Sequence, residues 1–321
     1  MEFDYRPVSL SRIDDGDATY RITAGSSLEA IRHSIEQIGL INPPTLLPCN
    51  DRFIVIAGFG RIAACRALGW ERLVARCPTS PADAVRYALT AIADNATQRT
   101  LNLVEVARAW HLLTRTVDSQ EQAMQLARSV GMTVNKELSA KLKQVLGMPH
   151  PLQQALIDGS IALPIALRLN ALADGAAIHA LVLLFQELQL SLNRQRELLE
   201  WSQGIMGREG ISLKDVIDDE RLAQWRQDPQ MDRGQKTQLI RQHLKKRRYP
   251  EISAFEERYH RSVKELKLVE GMQLVPPAHF EGQKYGLHLE FKNPTELDRL
   301  CLEVQRLAGS PTLLKLVDPN K

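Results

Sequence analysis

The sequence predicts three folded parts: an α+β amino-terminal domain over 1–100, an all-α middle domain over 101–206 and a small α/β carboxyl-terminal domain over 251–321, with a basic linker over 207–250. Three observations carry this division. At FIVIAGFGRIAACRALG, residues 53–69, a short apolar strand passes through a glycine turn into a helix. At 119–149 two short helical patterns flank Gly131, the layout of a helix-turn-helix. At 253–307 a helix, two strands and a second helix follow one another.

A chain of 321 residues can bury several cores, and its net charge of +3 is too small to announce a nucleic-acid partner by itself. Cys49, Cys65, Cys77 and Cys301 lie far apart without metal-ligand spacing, which reads as buried thiols in a reducing cytoplasm. The amino terminus has no signal pattern, and the longest apolar run, Ile178 to Leu190, is interrupted by His179, Gln186 and Glu187. Neither export nor membrane spanning is expected.

In chain order, Val8 to Ile13 predicts an edge strand. Ser26-x-x-Glu29 predicts a capping box on a helix whose stripe is Leu28, Ile31, Ile35 and Ile38, ending at Gly39. The Ile41-Asn42-Pro43-Pro44 stretch must be extended, because proline disfavours helix at the residue before it. Thr45 to Leu47 and Phe53 to Ile56 are expected to pair around Asn50-Asp51. Gly58 and Gly60 then turn the chain into a helix whose first-turn amides and positive dipole end suit a phosphate, with Arg61 placed to add a guanidinium. An ordinary strand-to-helix connection capped by Gly69 reads equally well. Gly58, Gly60 and Ala63 also match a dinucleotide fingerprint, but no alternating series of strands and helices follows.

Leu73 to Arg76 predicts another strand, and Pro81 a helix start running to about Ala93. The loop Asp94 to Asn102 gathers a carboxylate, amides and a guanidinium that would suit a metal-nucleotide contact or simply a solvated connection. Asn102 to Glu105 is a second capping box, on a helix with Val106, Ala109, Trp110 and Leu113 inward.

The segments SLEAIRHSIEQIGLINPP, FIVIAGFGRIAACRALGW and DNATQRTLNLVEVARAWHLL, in this order, resemble the three boxes of the ParB/Spo0J family of chromosome and plasmid partition proteins. The resemblance implies a ParB/sulfiredoxin-like amino-terminal domain that binds CTP with magnesium. It places nucleotide contacts at Arg21, Gly58, Phe59, Gly60, Arg61 and Asn95, with the Gly39 to Pro43 segment as a further contact. Metal contacts fall on Asp94 and Asn95. Whether CTP is cleaved is left open. Sulfiredoxin, on the same fold, carries its reactive cysteine directly after the box glycine, where this chain has Phe59.

In the middle domain, Gln122 to Ser129 and Val134 to Val145 are the expected helices of the helix-turn-helix. Thr133, Asn135, Lys136, Ser139, Lys141 and Lys143 are the candidates for contact with double-stranded DNA. The following PLQQALIDGSIALPIALRLNAL resembles the segment that supports the recognition helix in the same family. Further on, Asp228-Pro229 and Asp232-Arg233-Gly234 mark the linker. Arg241, Lys245, Lys246, Arg247 and Arg248 form the densest charge run, read either as a hydrated helix end or as a sequence-independent phosphate contact.

At the carboxyl end, Ser253-x-x-Glu256 predicts a helix start, Met272 to Val275 and Tyr285 to Phe291 two strands, and Asn293-Pro294-x-Glu296 a capped helix with Leu297, Leu300, Val304 and Leu307. So small a module buries its sheet and helix stripes poorly alone. GLHLEFKNPTELDRLCLEVQRL resembles the family's homodimerisation domain. The resemblance therefore implies a homodimer that recognises a palindromic site, is gated by CTP and works with a ParA-type ATPase. Two alternatives stand beside it. One is a dimeric site-specific regulator that has lost nucleotide binding, favoured by Phe59 and Gly60 where the family carries a polar residue and an arginine. The other is a small-molecule kinase or oxidoreductase on the amino-terminal fold.

Overall fold

The computed structural model describes residues 2–25, 27–81, 83–172, 174–277 and 284–318. It divides into two compact units, Met1–Gln195 and Arg196–Lys321.

The first unit opens with strand β1 (Phe3–Ser9), which gives way to a 3-10 turn at Leu10–Arg12. The strand therefore starts earlier than the expected Val8 to Ile13, because its full length pairs antiparallel with β4 (Arg72–Pro78). Helix α1 (Leu28–Ile38) is capped by Ser27, whose hydroxyl accepts from the Ala30 amide, while Glu29 pairs with Arg32. Ser26, the expected cap, lies outside the described residues. Strands β2 (Thr45–Cys49) and β3 (Arg52–Ala57) form the expected hairpin, and its turn holds Asn50 at a φ of 52°. The sheet order is β1-β4-β2-β3, with β2 parallel to β4. This mixed sheet is not the doubly wound parallel sheet that a dinucleotide site requires.

Helix α2 (Phe59–Ala67) packs on α1 and the sheet through Ile62, Ala64 and Cys65, closing a core with Val8, Ile35, Leu46, Val55 and Leu73. Cys65 and Cys77 are buried as expected, whereas Cys49 and Cys301 are exposed. Helix α3 (Ala84–Ala96) begins after Asp83, whose carboxylate caps the Arg86 amide. That cap sets the start, so Pro81 lies outside the helix.

Helix α4 (Leu103–Thr116) carries the complete capping box: Asn102 accepts from the Glu105 amide at 3.0 Å and Glu105 accepts from the Asn102 amide at 3.1 Å. Helices α5 (Gln120–Ser129) and α6 (Lys136–Leu146) follow, joined through Gly131 at a φ of 79°, with Met132 and Val134 buried beneath the turn. Helices α7 (His150–Ile157), α8 (Leu163–Asn170) and α9 (Gly175–Leu188) complete the helical part of this unit. Helix α9 buries Ile178, Leu181, Leu184 and Phe185. Its apolar run is a core helix, and no helix among the described residues is long and apolar enough to cross a membrane.

Helix α10 (Leu192–Glu209) is followed in the second unit by α11 (Leu213–Ile217), α12 (Glu220–Gln227), α13 (Arg233–Arg248) and α14 (Pro250–Leu266). The expected linker segment is thus largely helical. Asp232 and Gln235 form a capping box that starts α13. Helix α14 starts at Pro250, before the Ser253 expected to cap it. Proline at the first helical position fixes the entry, and Ser253 is buried inside the helix.

Strands β5 (Met272–Val275) and β6 (Gly286–Leu289) pair antiparallel, and α15 (Pro294–Ala308) and α16 (Pro311–Val317) close a core of Tyr259, Leu266, Leu274, Leu300 and Leu307. Gly271 precedes β5 at a φ of +86°, where an added Cβ would lie 2.5 Å from the Glu290 carbonyl oxygen. Backbone cannot swing aside as a side chain can. Gly271→Ala is therefore expected to destabilise the hairpin by about 2–3 kcal/mol, seen as amide exchange of His288 and Glu290, whose positions are the hydrogen-bonded ones, accelerated by roughly 30-fold or more.

Candidate nucleotide and DNA sites

The chain leaves β3 through Gly58, which sits in the left-handed region at a φ of +97°. No side chain caps the helix that follows. Its first intrahelical bond runs from the Ile62 amide to the Gly58 carbonyl at 3.0 Å, so the amides of Phe59, Gly60 and Arg61 precede the ladder. An added Cβ at Gly58 would lie 2.8 Å from Pro44 Cβ, and one at Gly60 would lie 2.9 Å from Ile31 Cδ1. The absence of side chains here keeps the turn tight against β2 and α1.

Gly58, Phe59, Gly60 and Arg61 line one side of a pocket of about 450 Å³, within the usual size of small-molecule sites. Gly39 to Asn42 form another wall, and Asp94, Asn95, Gln98 and Arg99 enter from the end of α3. Arg61 donates to Asp94 at 2.5 Å and to the Asn42 carbonyl at 2.9 Å. Asn95 accepts from the Thr23 hydroxyl at 3.0 Å and donates to the Ala91 carbonyl at 2.9 Å. The residues predicted from the three boxes, except Arg21, thus meet in one place.

Arg21 lies elsewhere, its guanidinium 5.8 Å from the centre of the Phe59 ring and lining a separate cavity. The Tyr20-Arg21 segment precedes Ile22, whose burial sets the side on which Arg21 emerges. Thr23 and Ser34 also line the box pocket and were missed in the sequence because neither belongs to a charged motif.

The donor set fits a magnesium triphosphate in kind: free helix amides, a guanidinium, a carboxylate and a carboxamide. Magnesium is commonly held by one or two carboxylates together with substrate phosphates, so Asp94 with Asn95 could serve. No cluster of three or more His, Cys, Asp or Glu side chains suited to a metal exists among the described residues, so phosphate oxygens and water would have to complete the shell.

Beside the pocket, Glu105 is fully buried and holds the local frame. It accepts from both terminal nitrogens of Arg99 at 2.6 Å and from the Ala24 amide at 2.9 Å, in addition to the Asn102 amide. Burial raises its pKa, but the bonds from Arg99, Ala24 and Asn102 outweigh that and hold it below the usual carboxylate value.

Thr133 and Asn135, just before α6, and Lys136 and Lys143 on it are exposed. Asn135 caps the helix by accepting from the Leu138 amide at 2.7 Å, and Lys141 pairs with Glu137 at 2.5 Å. Ser139 does not face outward. It is buried, accepts from Gln120 at 2.6 Å and donates to the Lys136 carbonyl, so it cannot read a base edge. Ala140 and Gln144 are exposed instead, and the helix starts at Lys136, two residues after its expected Val134, because Asn135 caps it.

The basic run on α13 is not a free patch. Arg241 pairs with Glu197 at 2.8 Å, Lys245 with Glu256 at 2.7 Å, Lys246 with Glu257 at 2.8 Å, and Arg247 with Glu209 at 2.6 Å and Asp219 at 3.1 Å. Arg248 lies over the Tyr249 ring at 4.7 Å. The charges expected to meet phosphate are thus matched by carboxylates distant in sequence. The Arg247 and Arg208 bonds hold Glu209 below its ordinary pKa, against a smaller opposing effect of burial.

These elements define an α+β domain whose glycine turn presents backbone amides and an arginine to a pocket, followed by a helical region with two short helices around a glycine turn. Over 84 residues the chain is 31% identical to a protein named "Probable chromosome-partitioning protein ParB" from Campylobacter jejuni. That stretch is 26% of this chain and spans only 30% of the relative's length. No protein-family model matches the chain.

Three solved structures are similar. The C-terminally truncated ParB of Caulobacter crescentus complexed with CTP-γ-S is 21% identical, covering 57% of this chain and 98% of that one at a TM-score of 0.26. The same protein complexed to the centromeric parS site is 21% identical, covering 59% and 96% at 0.32. A Pnob8-like ParB-N domain is 14% identical, covering 68% and 94% at 0.37.

Proposed function

We propose that this chain is a ParB-like DNA-binding partition protein, homodimeric, which recognises a palindromic centromere-like site through α5 and α6 and is gated by CTP with magnesium. The observation that carries the reading is the single pocket in which Gly58–Arg61, Gly39–Asn42, Asp94 and Asn95 converge. Phosphate would lie against the amides of the glycine turn and the Arg61 guanidinium, while Asp94 and Asn95 would hold magnesium, which neutralises phosphate charge.

Asp94 and Asn95 belong to the last turn of α3, directly before the connection to α4, and α4 packs on α5 and α6. A ligand that draws Arg61 and Asp94 apart would bias that connection. It can act as a gate only by binding one arrangement more tightly than the other. A ParA-type ATPase is the partner this reading implies.

A second reading is favoured by the Arg61–Asp94 pair and the two Asn95 hydrogen bonds, which satisfy these side chains within the chain itself. On that reading the protein is a dimeric site-specific DNA-binding regulator without a nucleotide.

Selection from a random duplex pool, followed by fluorescence anisotropy, tests the DNA reading. A palindromic sequence is expected to emerge. Lys136→Ala and Lys143→Ala should each weaken binding across sequences and lower the slope of log K against log salt by about 1. Failure to bind any duplex, even at low salt, would contradict both readings.

A further inference from the structure

On the far side of the Phe59–Gly60 turn lies a second cavity, of about 920 Å³. Arg21, Arg108, Arg115, His111 and His150 line it, and no aspartate or glutamate does. Three of these side chains project from α4 at positions 108, 111 and 115, a spacing that puts them on one face of a helix. The arginines have little to satisfy them. Arg108 donates to the Thr23 carbonyl at 2.7 Å, and neither Arg21, Arg108 nor Arg115 forms an ion pair among the described residues. Burial and then the nearby Arg21 lower the pKa of Arg108, against a smaller opposing effect of the Glu105 carboxylate. The arginines around the box pocket and most of the α13 run are matched by contrast: Arg61 by Asp94, Arg99 by Glu105, and Arg241, Lys245 and Arg247 by their carboxylates. An unmatched cationic wall in a concave site is an anion site in waiting.

Its remaining walls limit the anion. Leu28, Phe59, Leu112, Leu146 and Ile157 supply apolar surface beside the cations. A bare inorganic anion would leave that surface unused, whereas a phosphate ester with an apolar or planar part would cover both kinds of wall.

We propose that the cavity bounded by Arg21, Arg108, His111, Arg115 and His150 is a second phosphate-binding site, taking a small phosphorylated ligand of nucleotide size. It shares Thr23, Phe59 and Gly60 with the box pocket but uses neither Arg61 nor Asp94, so it stands whether or not the box pocket binds CTP.

The test is calorimetric titration of the full chain carrying Arg61→Ala, which disables the box pocket, with sodium tripolyphosphate and then CTP as probes. One ligand per chain is expected to bind, at least tenfold more weakly once Arg21→Ala and Arg115→Ala are added. Both of these residues are exposed; Arg115 forms no ion pair among the described residues, and Arg21 contacts only the face of the Phe59 ring through its guanidinium. A second measurement needs no substitution: in the unmodified chain the imidazole signals of His111 and His150 should shift saturably with tripolyphosphate, and that of His179 should not. No binding in the Arg61→Ala chain, or binding unchanged by the two arginine substitutions, overturns the site. So does a loss confined to duplex DNA, which would make these arginines contacts to a nucleic-acid backbone. Loss of binding at the box pocket alone would leave the histidine shifts intact, which separates failure of the CTP reading from failure of this one.

Discussion

Glu105→Ala is expected to lower the stability of the amino-terminal unit by about 3 kcal/mol. The carboxylate is fully buried and takes hydrogen bonds from Arg99, Ala24 and Asn102. Its removal leaves two backbone amides without an acceptor and opens the capping box of α4. Arg99 contributes less to the loss, because its side chain is 42% exposed and water can replace the carboxylate. Native-state amide exchange along α4 reads the effect directly, and a change below about 1 kcal/mol would contradict it.

The same group gives acid sensitivity with a definite sign. Its pKa is depressed in the fold, so its contribution is complete above the unfolded value of about 4.3 and is lost as pH falls through the lower folded value. Glu105→Gln should accordingly be less stable at neutral pH and show a flatter acid limb.

Gly58→Ala is expected to damage both fold and site. An alanine held at a φ of +97° costs about 1–2 kcal/mol, and its Cβ would press on Pro44 Cβ at 2.8 Å and Cα at 3.0 Å. The total should reach about 3 kcal/mol. The same Cβ lies 3.1 Å from Arg61 Nε, so Arg61 must also move. Gly69 provides the comparison: its φ is +74° but an added Cβ there meets nothing within 4 Å. Gly69→Ala should therefore cost only the backbone strain and leave ligand binding unchanged. Equal unfolding midpoints and equal nucleotide affinities for the two variants would show that Gly58 is only a turn.

Much of the amino-terminal unit was legible because its signals are local. The Asn50-Asp51 turn set the β2–β3 hairpin, and the Asn102 and Glu105 spacing set the start of α4. The box residues converged because α2 and the end of α3 each carry them in one short stretch.

Misreadings arose where distant residues decide the outcome. β1 extends back to Phe3 because β4 offers it a full-length partner, which no pattern in residues 3–9 displays. The basic run on α13 looks like a free patch in sequence because its carboxylates come from 197, 209, 219, 256 and 257. Ser139 was misplaced because Gln120 of the preceding helix covers it and donates to its hydroxyl, which the pattern of α6 alone does not display. Arg108, His111 and Arg115 had a readable signal in their helical spacing.

The central claim is tested most directly by calorimetric titration of the purified chain with CTP, GTP, ATP and UTP in the presence of magnesium, with and without its selected DNA, alongside Arg61→Ala. Selective CTP binding that strengthens with DNA and weakens by about 10- to 100-fold in Arg61→Ala is the predicted result. Absence of binding by all four nucleotides, or CTP binding indifferent to Arg61, would contradict it.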